Sequence, residues 1–123
     1  MYRLPLLTLF FALAIGFSAC VEEGPGGTST IDGITAHHGD PIPDTKVYIR
    51  YGSLESPGLD PALYDDSTTA NAAAEFTFSG LQKGEYYLFG VGYDSAFGAP
   101  VRAGLPVELG SGEKVNVEVP VTE

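Results

Sequence analysis

From Thr30 onward, short runs of alternating apolar and polar residues are separated by clusters of Gly, Pro, Asp, Asn and Ser. Seven such runs stand out, at 30–36, 45–51, 66–70, 75–79, 85–93, 100–108 and 114–121. A two-residue period over runs of this length belongs to strands with one face buried. No window carries the sustained i, i+3, i+4 stripe that an amphipathic helix needs. The pattern therefore predicts an all-β sandwich or barrel with little or no helix.

The alternation also assigns faces. Val47, Ile49 and Tyr51 share one face of their strand, and Phe76 and Phe78 share one face of theirs. Val115, Val117, Val119 and Val121 line the last strand while Asn116 and Glu118 point outward. Val101, Ala103, Leu105, Val107 and Leu109 alternate in the same way, and Pro106 among them marks an edge or bulged strand because it has no N–H to give a ladder. The run at 85–93 breaks the rule. One parity holds Tyr86, Leu88, Gly90 and Gly92, the other Tyr87, Phe89, Val91 and Tyr93, so both faces are apolar. Two readings follow: a central strand whose second face is covered by the long 52–65 loop, or an exposed aromatic patch of Tyr87, Phe89 and Tyr93, with Tyr48, for a partner, peptide or sugar.

The first nineteen residues differ from all this. Arg3 precedes the uncharged apolar run LLTLFFALAIGF, which ends in small residues, the layout of a secretory signal and shorter than the ~20 residues of a spanning helix. Removing them from the 123 leaves 104 residues, enough for one modest core, and takes away one cation. Five cations then stand against sixteen acids, a net charge of −11 that excludes nucleic acid as a partner and supplies no basic patch for anionic lipid.

The chain holds one cysteine, Cys20, immediately after this run. A single cysteine cannot build a disulfide framework, and a catalytic thiol needs a structured base that the following VEEGPGG does not offer. The tetrapeptide Phe17-Ser18-Ala19-Cys20 resembles a bacterial lipobox, with Phe17 in place of the usual Leu. That resemblance implies cleavage after Ala19, acylation of Cys20 and attachment to a membrane by lipid. Each buried CH₂ adds ~0.8 kcal/mol, so several chains anchor a protein for good. Residues 20–29 then read as the acylated cysteine and a flexible tether, about 15–20 Å in reach for a Gly-rich coil. Glu22 and Glu23 resemble the acidic signal that sends some lipoproteins to the outer face of the outer membrane; as plain tether residues they would only add solubility.

The strings IDGITAHHGDPIPDTKVYI and STTANAAAEFTFSGLQKGEYYLFGV carry a second likeness. Gly33, Gly39, Pro41, Ile42, Val47, Thr69, Phe76, Phe78, Leu81, Gly84, Tyr86 and Leu88 follow the pattern of the carboxypeptidase regulatory-like, or prealbumin-like, domain, which this chain resembles over 30–123. The resemblance implies a seven-stranded Greek-key β-sandwich with no enzyme activity and no cofactor. Domains of that family serve as stalks, spacers and interaction modules, some attached to peptidases or outer-membrane transporters. One departure is visible: Asn71-Ala72-Ala73-Ala74 stands where the family has Asp-Gly before the Phe strand.

Candidate chemistry is sparse. His37 and His38 are adjacent in a turn, where neighbouring side chains are expected to diverge, and a metal would need further ligands from the fold. Asp40 and Asp44 read as caps of turn amides. Asp60, Asp65 and Asp66, with Glu55, are weak candidates for Ca²⁺, lacking the D-x-[DN]-x-[DN]-G spacing of a wrapped cation. YIRYGS at 48–53 shares letters with the terminal motif of transthyretin-like hydroxyisourate hydrolases but lies in the wrong strand and order. No G-x-S-x-G, Walker loop or H-E-x-x-H is present. Hydrolysis would require a histidine to meet a carboxylate and a nucleophile across the fold. The expectation is a non-enzymatic envelope module held at the outer membrane by Cys20, partnered by a transporter, peptidase or other envelope protein, with sugar or peptide binding on the aromatic strand as the rival.

Overall fold

A computed structural model describes residues 22–123; Ala19 and Cys20 lie outside them. The described residues form β1 (Pro25–His37), β2 (Asp40–Pro41), β3 (Lys46–Tyr51), β4 (Asp66–Thr69), β5 (Glu75–Leu81), β6 (Gly84–Asp94), β7 (Ala99–Leu109) and β8 (Lys114–Pro120), with one 3₁₀ turn at Pro61–Leu63. None of these residues belongs to a helix long and apolar enough to cross a membrane.

The strands make two sheets. In the first, β1 is central, antiparallel to β5 on one side and parallel to β8 on the other, while β2 pairs antiparallel with the last two residues of β1. The second runs β4-β3-β6-β7 with every pair antiparallel. The inward rows meet between the sheets, Ile31, Phe76, Phe78 and Val119 from the first against Val47, Ile49, Tyr86, Leu88, Val101 and Val107 from the second. The result is an all-β sandwich-like arrangement, each large apolar side chain contributing roughly 1.5–3 kcal/mol by leaving water.

Pro106 pairs opposite Tyr87 on β7, the edge strand of its sheet, where a missing N–H is harmless. Beyond β8 the chain crosses to that same edge, and Arg102 and Thr122 exchange backbone hydrogen bonds of 2.8 and 3.0 Å. The Asn71–Ala74 turn replaces glycine with side-chain chemistry. Asn71 Oδ1 accepts from the amides of Ala73 and Glu75, both at 2.9 Å, and Ala74 adopts φ 65. An Asx turn of this kind holds the left-handed residue that glycine would otherwise supply.

One expectation needs correction. Residues 25–29, read above as tether, are the first part of β1. Gln82 N–H donates to the Gly24 carbonyl at 2.8 Å, Gly24 N–H donates to the Tyr86 hydroxyl at 2.9 Å, and Ser29 Oγ donates to the Gly110 carbonyl at 2.6 Å. The glycines that suggested flexibility serve close approach: a side chain at Gly27 would collide with the backbone of Leu81 and Gln82. Register shifts between Pro25 and Ile31 absorb the irregularity as a bulge.

Candidate functional site

Three inward-facing rows of side chains end together at one end of the sandwich. On β1 the row Ile31, Gly33, Thr35 continues to His37. On β6 the row Tyr86, Leu88, Gly90, Gly92 continues to Asp94. Past β8, Val119 and Val121 continue to Glu123. At this end the buried positions are taken by the polar groups of His37 and Asp94.

His37 is 1% exposed, and its Nδ1 donates to Asp94 Oδ2 at 2.7 Å. A carboxylate can only accept, so this contact assigns the ring hydrogen to Nδ1. Asp94 is also the organiser of the 94–98 turn: Oδ1 accepts from the amides of Ala96 at 2.9 Å and Phe97 at 3.3 Å, and its carbonyl accepts from Gly98 at 2.7 Å. The hydrogen bond from His37, helped by the Phe97 and Ala96 amides, holds the Asp94 carboxyl below its ordinary value against the opposing effect of burial. The other ring nitrogen, Nε2, lies 2.9 Å from Glu123 Oε2 but off the line of a ring hydrogen bond, and is left without a hydrogen-bond partner.

The turn from β1 to β2 brings His38 to the same place. His38 and Gly39 have φ 53 and 84, so the two-residue hairpin takes left-handed conformations at both positions, the geometry that suits Asn-Gly. The adjacent histidines therefore do not diverge as expected. Their rings pack at a tilt of 37° with centroids 4.1 Å apart, and Phe97 packs on both, at 4.9 Å from His37 and 5.8 Å from His38.

Beside this cluster is an open cleft of about 480 Å³, bordered by Asp40, Pro43, Asp44, Tyr93 and Phe97. Its floor is Ile42, buried and tied down because its carbonyl accepts from both Thr35 Oγ1 at 2.7 Å and Thr45 Oγ1 at 2.8 Å. Tyr93 and Phe97 are 57% and 59% exposed, the two most open Tyr or Phe rings of the described residues. A larger concavity of about 640 Å³ lies over the first sheet, among Asp32, Ile34, Glu75, Thr77 and Glu118. It offers no exposed aromatic ring, and Asp32 there is already engaged by Thr77 Oγ1 at 2.6 Å and Lys114 Nζ at 3.2 Å. The smaller cleft is the better candidate.

The aromatic set named from the sequence is split. Phe89 is 4% exposed, stacked on Tyr64 of the long loop at 5.6 Å and on Tyr48 at 6.4 Å. Tyr48 and Tyr87 are half-buried, and Tyr93 alone stands free, at the far end of the strand beside Phe97. The exposed patch expected of Tyr87, Phe89, Tyr93 and Tyr48 is thus not formed, because Tyr64 brings the 52–65 loop down over it. The weak cation candidates have other partners. Asp60 Oδ1 accepts from Ala62 N at the 3₁₀ turn, Asp65 Oδ2 from Tyr51 N at 2.7 Å, and Asp66 Oδ1 from Ser67 N at 2.8 Å. Sequence reasoning missed Asp94, Phe97 and Glu123, though extending each inward row by two residues would have reached Asp94 and Glu123.

No family model matches the chain, and no curated protein matches it. Among solved structures it is similar to a crystal structure of a "putative carbohydrate binding protein" from Pseudomonas aeruginosa, with 17% sequence identity, a TM-score of 0.54, and coverage of 79% of this chain and 90% of that one. That likeness shows the fold.

Proposed function

We propose that this chain is a lipid-anchored protein of the outer membrane, not an enzyme, whose prealbumin-like Greek-key sandwich carries a ligand-binding cleft on the side turned away from the bilayer. The observation that carries the reading is the opposition of the two ends. Glu23 lies at the start of β6, where its carboxylate accepts from Glu85 N at 3.3 Å, and Asp94 at the finish of β6 borders the cleft. The eleven residues of β6 make ten steps from end to end, about 33 Å at ~3.3 Å per residue. With Cys20 acylated, the few residues before Pro25 would hold the N-terminal end near the lipid and present Tyr93 and Phe97 outward.

The chemistry of the cleft fits a carbohydrate. Exposed rings offer apolar faces on which sugar C–H groups stack, and the carboxylates of Asp40 and Asp44 are acceptors for sugar hydroxyls. The resemblance in fold to a protein described in similar terms supports the same ligand class. The absence of an enzymatic role is supported by what faces His37: Asp94 orients the ring as a triad acid would, but Nε2 meets the carboxylate of Glu123 instead of a hydroxyl or thiol.

The test has two separable parts. Mass spectrometry of the cell-derived protein should find diacylglycerol and acyl additions on Cys20, lost together with membrane association in Cys20→Ala; an unmodified, membrane-bound protein refutes the anchor. A glycan array followed by NMR titration should show sugar binding that weakens at least tenfold in Phe97→Ala without loss of fold. Binding to no glycan, with crosslinking in intact cells to an envelope transporter or peptidase through the same cleft, would replace the ligand by a protein partner.

A further inference from the structure

Histidine and carboxylate groups from the ends of separate chain segments converge beside the cleft, sharing Phe97 and Asp94 with its border. The ligand atoms of His37, His38 and Glu123 all lie within 4.8 Å of one another. His37 Nε2 is buried and without a hydrogen bond, and it lies 2.9 Å from Glu123 Oε2. The Asp94 contact places a ring hydrogen on Nδ1, which leaves Nε2 as the ring nitrogen able to offer a lone pair to a ligand. A cation held among the three groups supplies the partner this buried nitrogen lacks.

We propose that His37, His38 and Glu123 bind a first-row divalent metal ion of the zinc and copper class, with Asp94 supporting His37 from behind. Two imidazole nitrogens and one carboxylate are a donor set that suits such ions and leaves a coordination position open. The Asp94 contact to Nδ1 is the outer partner that metal-bound histidines usually have, fixing both ring orientation and the lone pair at Nε2. Tetrahedral bonds near 2.0–2.2 Å place donors about 3.3–3.6 Å apart. Closing the cluster to that spacing falls mainly to Glu123, whose side chain is exposed and which, among the described residues, makes no hydrogen bond other than through its backbone. The same exposure gives the ion its access, and Phe97, packed against both rings, limits their other orientations.

The experiment is calorimetric titration of the purified, untagged protein with ZnCl₂, repeated with CoCl₂ while following the visible absorption of the bound ion. One equivalent of Zn²⁺ should bind, be removed by chelator, and raise the melting temperature. Co²⁺ should give the absorption of a low-coordinate nitrogen and oxygen site. His38→Ala and Glu123→Gln alter exposed ligands and leave the fold intact, and each should weaken binding about 10- to 100-fold or more, while Asp94→Asn should weaken it about 10- to 100-fold as an outer-partner change. Substoichiometric binding, or one-to-one binding unchanged in both His38→Ala and Glu123→Gln, would overturn the proposal. So would NMR spectra in which His37 keeps a proton on Nε2 with one equivalent of Zn²⁺ present.

Discussion

Replacing Tyr86 by Phe removes one oxygen near the start of β6, at the end of the sandwich away from the cleft, and leaves the ring in place. That oxygen donates to the Gln82 carbonyl at 2.6 Å and accepts from Gly24 N–H at 2.9 Å, so it joins the β5–β6 turn to the beginning of the described chain. Burial pushes the phenol up from its ordinary value, which keeps its proton available for donation. Each hydrogen bond contributes a net ~0.5–1.5 kcal/mol, and a buried amide left without a partner costs ~1–3 kcal/mol. Gly24 is buried, so the second cost applies. A loss of about 2 kcal/mol follows, offset little by the easier burial of Phe. For a domain of this size that is a fall of about 8–16 °C in melting temperature. Urea denaturation measures the first quantity, and limited proteolysis of residues 22–29 reads the second effect, release of the amino-terminal segment. A loss below about 0.5 kcal/mol, the range of ordinary surface changes, with proteolysis unchanged, would show that the segment is held by the β5 ladder and not by the phenol.

Phe89→Ala should cost about 3–5 kcal/mol in urea denaturation because the ring is buried under Tyr64; a near-neutral change would return Phe89 to the surface patch expected from sequence. Asp32 is held below its ordinary carboxylate value by the hydrogen bonds from Thr77 and then Lys114. Its folded pKa is thus the lower one, so its stabilisation is complete above the unfolded value of about 3.9 and fades as pH falls through the folded value. Thr77→Val should move the Asp32 titration upward by NMR and shrink this acid-side loss; an unmoved titration refutes the assignment.

Strand parity made the core legible. Val47, Ile49, Phe76, Phe78, Tyr86, Leu88, Val101, Val107 and Val119 point inward as their alternation requires, since a one-residue slip would carry each set into water. Composition was the weaker guide at both ends of that pattern. The Gly-rich segment at 24–29 reads as flexible, yet it is ordered by a contact 62 residues away, Gly24 with Tyr86. The apolar outer row of β6 left two covers open, and only the three-dimensional path of the 52–65 loop decides that Tyr64 lies on Phe89. The site was least legible. His37, Asp94 and Glu123 each end an inward row with an imidazole or a carboxylate, but their meeting depends on three strands from two sheets ending at one place. The approach of His38 further depends on a left-handed turn residue that the dipeptide His-Gly announces less plainly than Asn-Gly.

The central position of β1 bears on how the domain carries load. Its ladder with β5 runs from Pro25 to Ile34 and its ladder with β8 from Thr30 to Ala36, so the strand is bonded along both flanks. A pull between residue 22 and a ligand seated at the far cleft acts along the strand axis. The rungs on both flanks then resist together in shear, whereas a pull across the strands would open them one rung at a time. Force spectroscopy in this direction should therefore report a single high-force rupture, governed by the unfolding rate and not by equilibrium stability.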